Sequence, residues 1–242
     1  MREVWGARMN RFQTTRWSLV LDAGKDPAQA RAALESLCRT YRPPVYAYIR
    51  GHHYTAESAE DLTQTFFARF IEQGYYLKAD PQRGRFRGLL LTALKRFLGD
   101  VLDQEKTLKR GGDAKVRSLD SLVDDSGLLD QETPESAFHR SWAHTVVKGA
   151  LRRLRDEAKA AGKAELFDAL SVFIAERPDD ADYERVAARF GMRRNTLAVA
   201  VHRLRQRLRE LIREQLAETS AGDEELDNEL RELGKSFDLL AP

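Results

Sequence analysis

A single cysteine in 242 residues, Cys38, leaves the chain without an intrachain disulfide or a cysteine zinc site, and a reducing, cytoplasmic setting is expected. No apolar run reaches the length of a membrane span, and the first residues lack the apolar core of a secretion signal, so no membrane association is expected. The 15 glycines and 7 prolines are too few and too scattered for a low-complexity or turn-rich sheet protein, which leaves an all-α chain. Net charge is almost absent: 40 basic against 38 acidic residues leave +2, so overall balance says little about partners. Also missing are a glycine-rich phosphate loop, a nucleophile elbow and a Cys/His ligand set. His52 and His53 are adjacent, point to different sides of a helix and have no carboxylate at ligand spacing. No catalytic residue, cofactor or metal is expected.

What the chain does have is charge sorted by position. Basic residues gather around Arg83 to Arg110 and Arg193 to Arg213, whereas Asp113 to Glu135 carries seven acids against two bases and the tail after Ala217 carries eight against two. Within the second basic zone, Tyr183 through Leu197 reads as a helix, a turn at Gly191 and the start of a second helix. Val186, Ala187 and Phe190 make one apolar stripe, and Leu197, Val201 and Leu204 make another. This is the pattern of a helix-turn-helix aimed at DNA. Its seven arginines between Arg193 and Arg213 face one acid, Glu210, a density suited to neutralising phosphates. Arg193, Arg194, Asn195 and Thr196 stand at the start of the second helix, where side chains reach base edges. A helical hairpin with a solvated basic face is the plainer alternative.

The remaining periodicity divides the chain into two helical lobes. Asp26-Pro27 is a helix start, followed at helical spacing by Leu34, Leu37, Cys38 and Tyr41, and Pro43-Pro44 is expected to break or bend it. Helices over 58–72 and from Phe86 through Leu102 complete a four-helix bundle spanning 11–110. Residues 111–137 read as a flexible acidic linker, 138–217 as the helix-turn-helix lobe, and 218–242 as an acidic tail that is a weak helix or disordered. On the helix over 58–72, Ala59, Leu62, Phe66 and Phe70 form the core face at about 100° per residue, with Glu60, Gln64, Phe67 and Ile71 opposite and Thr63 on the border. Two large apolar residues beside a carboxylate and an amide suit a protein-binding surface, unless another helix covers them.

Three segments in order then carry a resemblance: Tyr41 through Arg50 (YRPPVYAYIR), Ala59 through Phe67 (AEDLTQTFF) and Phe86 through Arg96 (FRGLLLTALKR). They resemble the σ2 domain of extracytoplasmic-function RNA polymerase sigma factors of the sigma-70 family, and the helix-turn-helix lobe is similar to their σ4 domain. The resemblance covers roughly 11–110 and 138–217. It implies a bacterial initiation factor that binds core RNA polymerase through the β′ clamp helices and the β subunit, and promoter DNA through both lobes. Glu60, Asp61, Gln64, Phe67 and Ile71 would meet the clamp helices, and the acidic linker would thread into the polymerase. The first lobe would read and melt the −10 element through Arg83, Arg85, Phe86, Arg87, Lys95 and Arg96, a cationic strip beside an aromatic ring suited to a separated strand.

The chain departs from that family where an acid is usual but Ser58 and Thr65 stand, so the clamp-facing surface is under-charged. A Ser/Thr protein kinase acting on Thr63 or, second, Thr65 would supply the missing charge. Ala198, Val199 and Ala200 replace basic or polar residues of many relatives, so −35 reading rests on Arg193, Arg194, Asn195, Thr196, His202 and Arg203. An acidic tail of this kind could fold back on the basic DNA-reading helix as a phosphate mimic. A DNA-binding regulator that never meets polymerase is the alternative. A nuclease lacks the clustered carboxylates it would need.

Overall fold

The computed structural model describes residues 27–75, 86–110, 133–176, 179–220 and 223–236, and all regular structure among them is helical. None of the described helices is long and apolar enough to cross a membrane. Helix α1 spans Pro27–Gly51 without interruption, although Pro43 and Pro44 each withhold a backbone N–H and were expected to break it. Burial decides the matter: Tyr41, Val45, Tyr48 and Ile49 sit in the core on both sides of the prolines. Cys38 is a half-buried packing residue whose thiol is pushed up to about 12 by burial.

Helix α2 spans Ala56–Glu72 and starts where Thr55 accepts a hydrogen bond from the Ser58 N–H. Helix α3 spans Phe86–Arg110, longer than its apolar stripe implied. Helix α4 spans Pro134–Ala160, with Thr133 accepting from the Ser136 N–H and proline at its first position. Residues 133–137, expected as part of the linker, form the cap and first turn of α4. Residues 111–132 lie outside the described residues, as do Arg83 and Arg85. The stretch from Ala164 to Ala175 is two short pieces, α5 over Ala164–Leu170 and α6 over Val172–Ala175. Helix α7, Asp180–Phe190, opens with a reciprocal capping box between Asp179 and Asp182. Helix α8 runs Arg194–Ala217, and the tail folds as α9, Asp223–Ser236, with three acids in its first turn matching the helix dipole.

The hydrophobic interior does not divide at the expected linker. One continuous core takes Leu37, Val45 and Ile49 from α1, Phe66 and Phe70 from α2, and Phe86, Leu90 and Leu94 from α3. It continues into Phe138, Trp142 and Val146 of α4, Leu211, Ile212 and Leu216 of α8, and Leu226 and Leu233 of α9. Helix α1 of the first lobe lies along α4 of the second, the most extensive helix pair among the described residues. Their ends meet so closely at Gly51 that a Cβ there would stand 2.8 Å from the Pro134 Cα. A separate, smaller cluster of Leu170, Phe173, Leu197 and Val201 holds the helix-turn-helix together at one end.

Candidate nucleic-acid interface

The turn between α7 and α8 is made by Gly191 in the left-handed region, φ 61° and ψ 29°, where a side chain would be strained. Its N–H and that of Met192 both return to the Ala187 carbonyl, closing α7 before α8 departs. Leu197 and Val201 of α8 are buried beneath Phe173 and Leu170, with the Phe173 and Tyr183 rings 5.9 Å apart. With that face anchored, Arg193, Arg194, Asn195, Thr196, His202 and Arg203 are all exposed on the opposite sides. Arg194 is paired with Asp180, while Arg193 and Arg203 have no partner among the described residues.

Several arginines counted from sequence as phosphate ligands are engaged internally. Arg205 donates from Nε and Nη2 to the Phe173 carbonyl at 3.2 and 2.6 Å and from Nη2 to the Glu176 carbonyl at 2.9 Å, closing the C-terminal end of α6. Arg207 reaches Glu157 at 2.8 Å, Glu210 at 2.9 Å and Glu214 at 3.0 Å, which holds the Glu157 carboxyl below its usual range and raises the guanidinium further. Arg213 lies 3.7 Å from Asp227 of α9.

Beside the reading face is a half-open cleft of about 770 Å³, walled by Leu154, Leu166, Leu170, Met192 and Leu204 and edged by Asn195, Thr196 and Arg203. Val199 enters the same cleft and is 50% exposed. Positions 195, 199 and 203 form one row on α8. The sequence marked Val199 only as a departure from basic relatives; the structure places it exposed in the same row as Asn195 and Arg203.

Of the first-lobe strip, Arg83 and Arg85 lie outside the described residues, and Phe86 and Arg87 are buried. Phe86 is fully buried, its ring 5.0 Å from Tyr41 and 6.3 Å from Phe70, so it is a core residue here and not a surface for stacking bases. Arg87 is 6% exposed: its guanidinium lies 3.9 Å from the Trp142 ring centre, 3.2 Å from Glu229 of α9 and 3.2 Å from His139 Nδ1. The expectation that Arg87 faces a strand fails in this arrangement because Trp142 and Glu229 enclose it. The same enclosure pushes the nearby Tyr41 phenol up to about 12, through burial first and the Glu229 charge second. Lys95 and Arg96 remain exposed, with Lys95 bound to Glu135 at 2.8 Å, which draws the Glu135 carboxyl below its usual range.

On α2, Asp61, Gln64 and Ile71 are exposed, the last at 40%. Glu60 is half-buried and paired with Arg42. Phe67 was expected outside but is buried, edge-on to Phe66 at 5.2 Å, because the aromatic core wraps more of α2 than one narrow stripe. Thr63 is not on a border: it is fully buried and its hydroxyl donates to the Ala59 carbonyl at 2.6 Å. Thr65 is exposed, donating to the Asp61 carbonyl at 2.8 Å. Of the two threonines named from sequence, only Thr65 is therefore accessible at the surface of this structure.

Among the described residues no group of histidine, cysteine and carboxylate side chains is placed to hold a metal ion. Comparison with protein-family models, curated proteins and solved structures finds no match to this chain.

Proposed function

We propose that the chain is an alternative sigma factor, a subunit that binds bacterial core RNA polymerase in the cytoplasm and directs promoter-specific initiation, with no catalysis of its own. The observation that carries this reading is the helix-turn-helix, with Arg193, Asn195, Thr196, Val199 and Arg203 presented on the exposed start of α8. The ordered YRPPVYAYIR, AEDLTQTFF and FRGLLLTALKR segments supply the polymerase half of the argument. In this reading α8 enters the major groove of the −35 element, and Asp61, Gln64 and Ile71 form the exposed part of the clamp-binding face. Phosphorylation by a Ser/Thr kinase adds charge to that face at Thr65, or at Thr63 once it is uncovered.

The burial of Phe86, Arg87 and Phe67 favours a second reading, a helix-turn-helix regulator whose first lobe is structural and never meets polymerase. Gel filtration with core enzyme and run-off transcription separate the two. A sigma factor forms a one-to-one complex and yields a promoter-dependent transcript. Asn195→Ala with Arg203→Ala then keeps the complex but lowers promoter affinity, each lost base contact being worth about 1–3 kcal/mol. Failure to bind core enzyme in phosphorylated and unphosphorylated forms alike overturns the sigma reading.

A further inference from the structure

We propose that the C-terminal helix is an intramolecular latch: by seating Glu229 on Arg87, α9 holds the start of α3 against α4 and keeps the Arg87 guanidinium from nucleic acid. Leu226, Glu229, Leu230 and Leu233 fall on one face of α9 at helical spacing, so a carboxylate interrupts an apolar stripe. Glu229 is 3% exposed and Leu233 not at all. An ionised carboxylate survives such burial only against a matched charge, and the charge comes from Arg87, at the start of α3 in the other lobe. Trp142 of α4 roofs the guanidinium at 3.9 Å. Three distant parts of the chain thus meet at one ion pair, while α1 and α4 remain packed on each other without it.

The remainder of α9 is suited to detachment. Its buried apolar side chains are Leu226 and Leu233, whereas α8 buries six residues. Its outer face carries Asp223, Glu224, Asp227 and Glu232, all exposed. A carboxylate on this arginine occupies the position a backbone phosphate would take on the same guanidinium. When α9 withdraws, Arg87 is left buried without its counter-charge, and turning it to water separates α3 from α4. The −35 face lies at the opposite end of α8 and stays exposed in the closed form, so the latch governs the first lobe selectively.

The closure itself is independent of the proposed function, whereas its binding consequence rests on the first lobe being a strand-binding module. The test compares the full chain with a chain ending at Ser220, with Glu229→Arg and with the charge swap Arg87→Glu/Glu229→Arg. Small-angle scattering and amide exchange over 86–110 and 134–160 report closure. Binding of a short labelled mixed-sequence single strand and of its matching duplex reports the consequence. The truncated chain and Glu229→Arg are expected to expand and exchange faster, and the swap to return both readings toward the full chain. Single-strand affinity rises about tenfold in the two opened chains if the closed form outnumbers the open by that factor, with duplex affinity little changed. Unaltered scattering and exchange in both opened chains overturn the latch, as does loss of helix throughout the truncated chain, which would make α9 a strut of the fold. Opening without any gain in single-strand affinity upholds the latch and overturns the strand-binding role of the first lobe.

Discussion

Phe138→Ala is expected to destabilise the whole protein by about 3–5 kcal/mol, the range for removing a buried aromatic side chain and leaving its cavity. Phe138 is fully buried and stands edge-on to Tyr48 at 6.4 Å and 88°, a contact that joins α4 of the second lobe to α1 of the first. Its neighbours belong to both halves of the chain, so the loss is shared. Calorimetry is expected to show one transition moved to lower temperature, including the helices over 27–110. Two transitions, of which only the second moves, would mean that the lobes melt separately and that the continuous core does not couple them.

Arg87→Ala is expected to cost about 3–5 kcal/mol, because it strands the Glu229 carboxylate in a site from which water is excluded. Replacing both partners, Arg87→Met with Glu229→Leu, is expected to restore most of that stability, since apolar side chains of similar volume need no counter-charge. Urea unfolding midpoints of the single and double variants decide it. Equal losses in both would assign the effect to lost packing of the arginine stem on Trp142 and not to the stranded charge.

The local grammar of this chain is readable from its residues. Gly191, the Leu197/Val201 stripe and the exposed Arg193 to Thr196 segment stand as expected, because a helix-turn-helix is set by contacts close in sequence. What sequence reading missed depends on contacts between distant segments. Pro43-Pro44 forecast a break that burial of Val45 and Ile49 overrides. Periodicity on a single helix placed Phe67 outside and Thr63 on the border, and the resemblance placed Phe86 on a strand-binding strip; none of these readings could see how α1, α2 and α3 pack on one another. The boundary at 110 and 138 followed composition, but Tyr48 and Phe138 carry no mark in the sequence of meeting across it. Arg87 looked like one of a row of cations, and nothing local pairs it with Glu229. Val199 became informative only when its exposure beside Asn195 was known.

On the proposed function, the internal engagement of Arg205 and Arg207 sets how duplex binding would respond to ionic strength. A protein that displaced a condensed cation with each of the seven arginines between Arg193 and Arg213 would lose affinity steeply as salt rises, with a log–log slope near −0.9 for each phosphate neutralised. Arg205 is committed to two carbonyls, Arg207 to three carboxylates, and Arg194 and Arg213 to one acid each. The slope should therefore be that of a few displaced ions, and most of the helix's positive charge serves as mortar between α4, α6, α8 and α9, leaving discrimination among duplexes to a small, shallowly salt-dependent set of contacts.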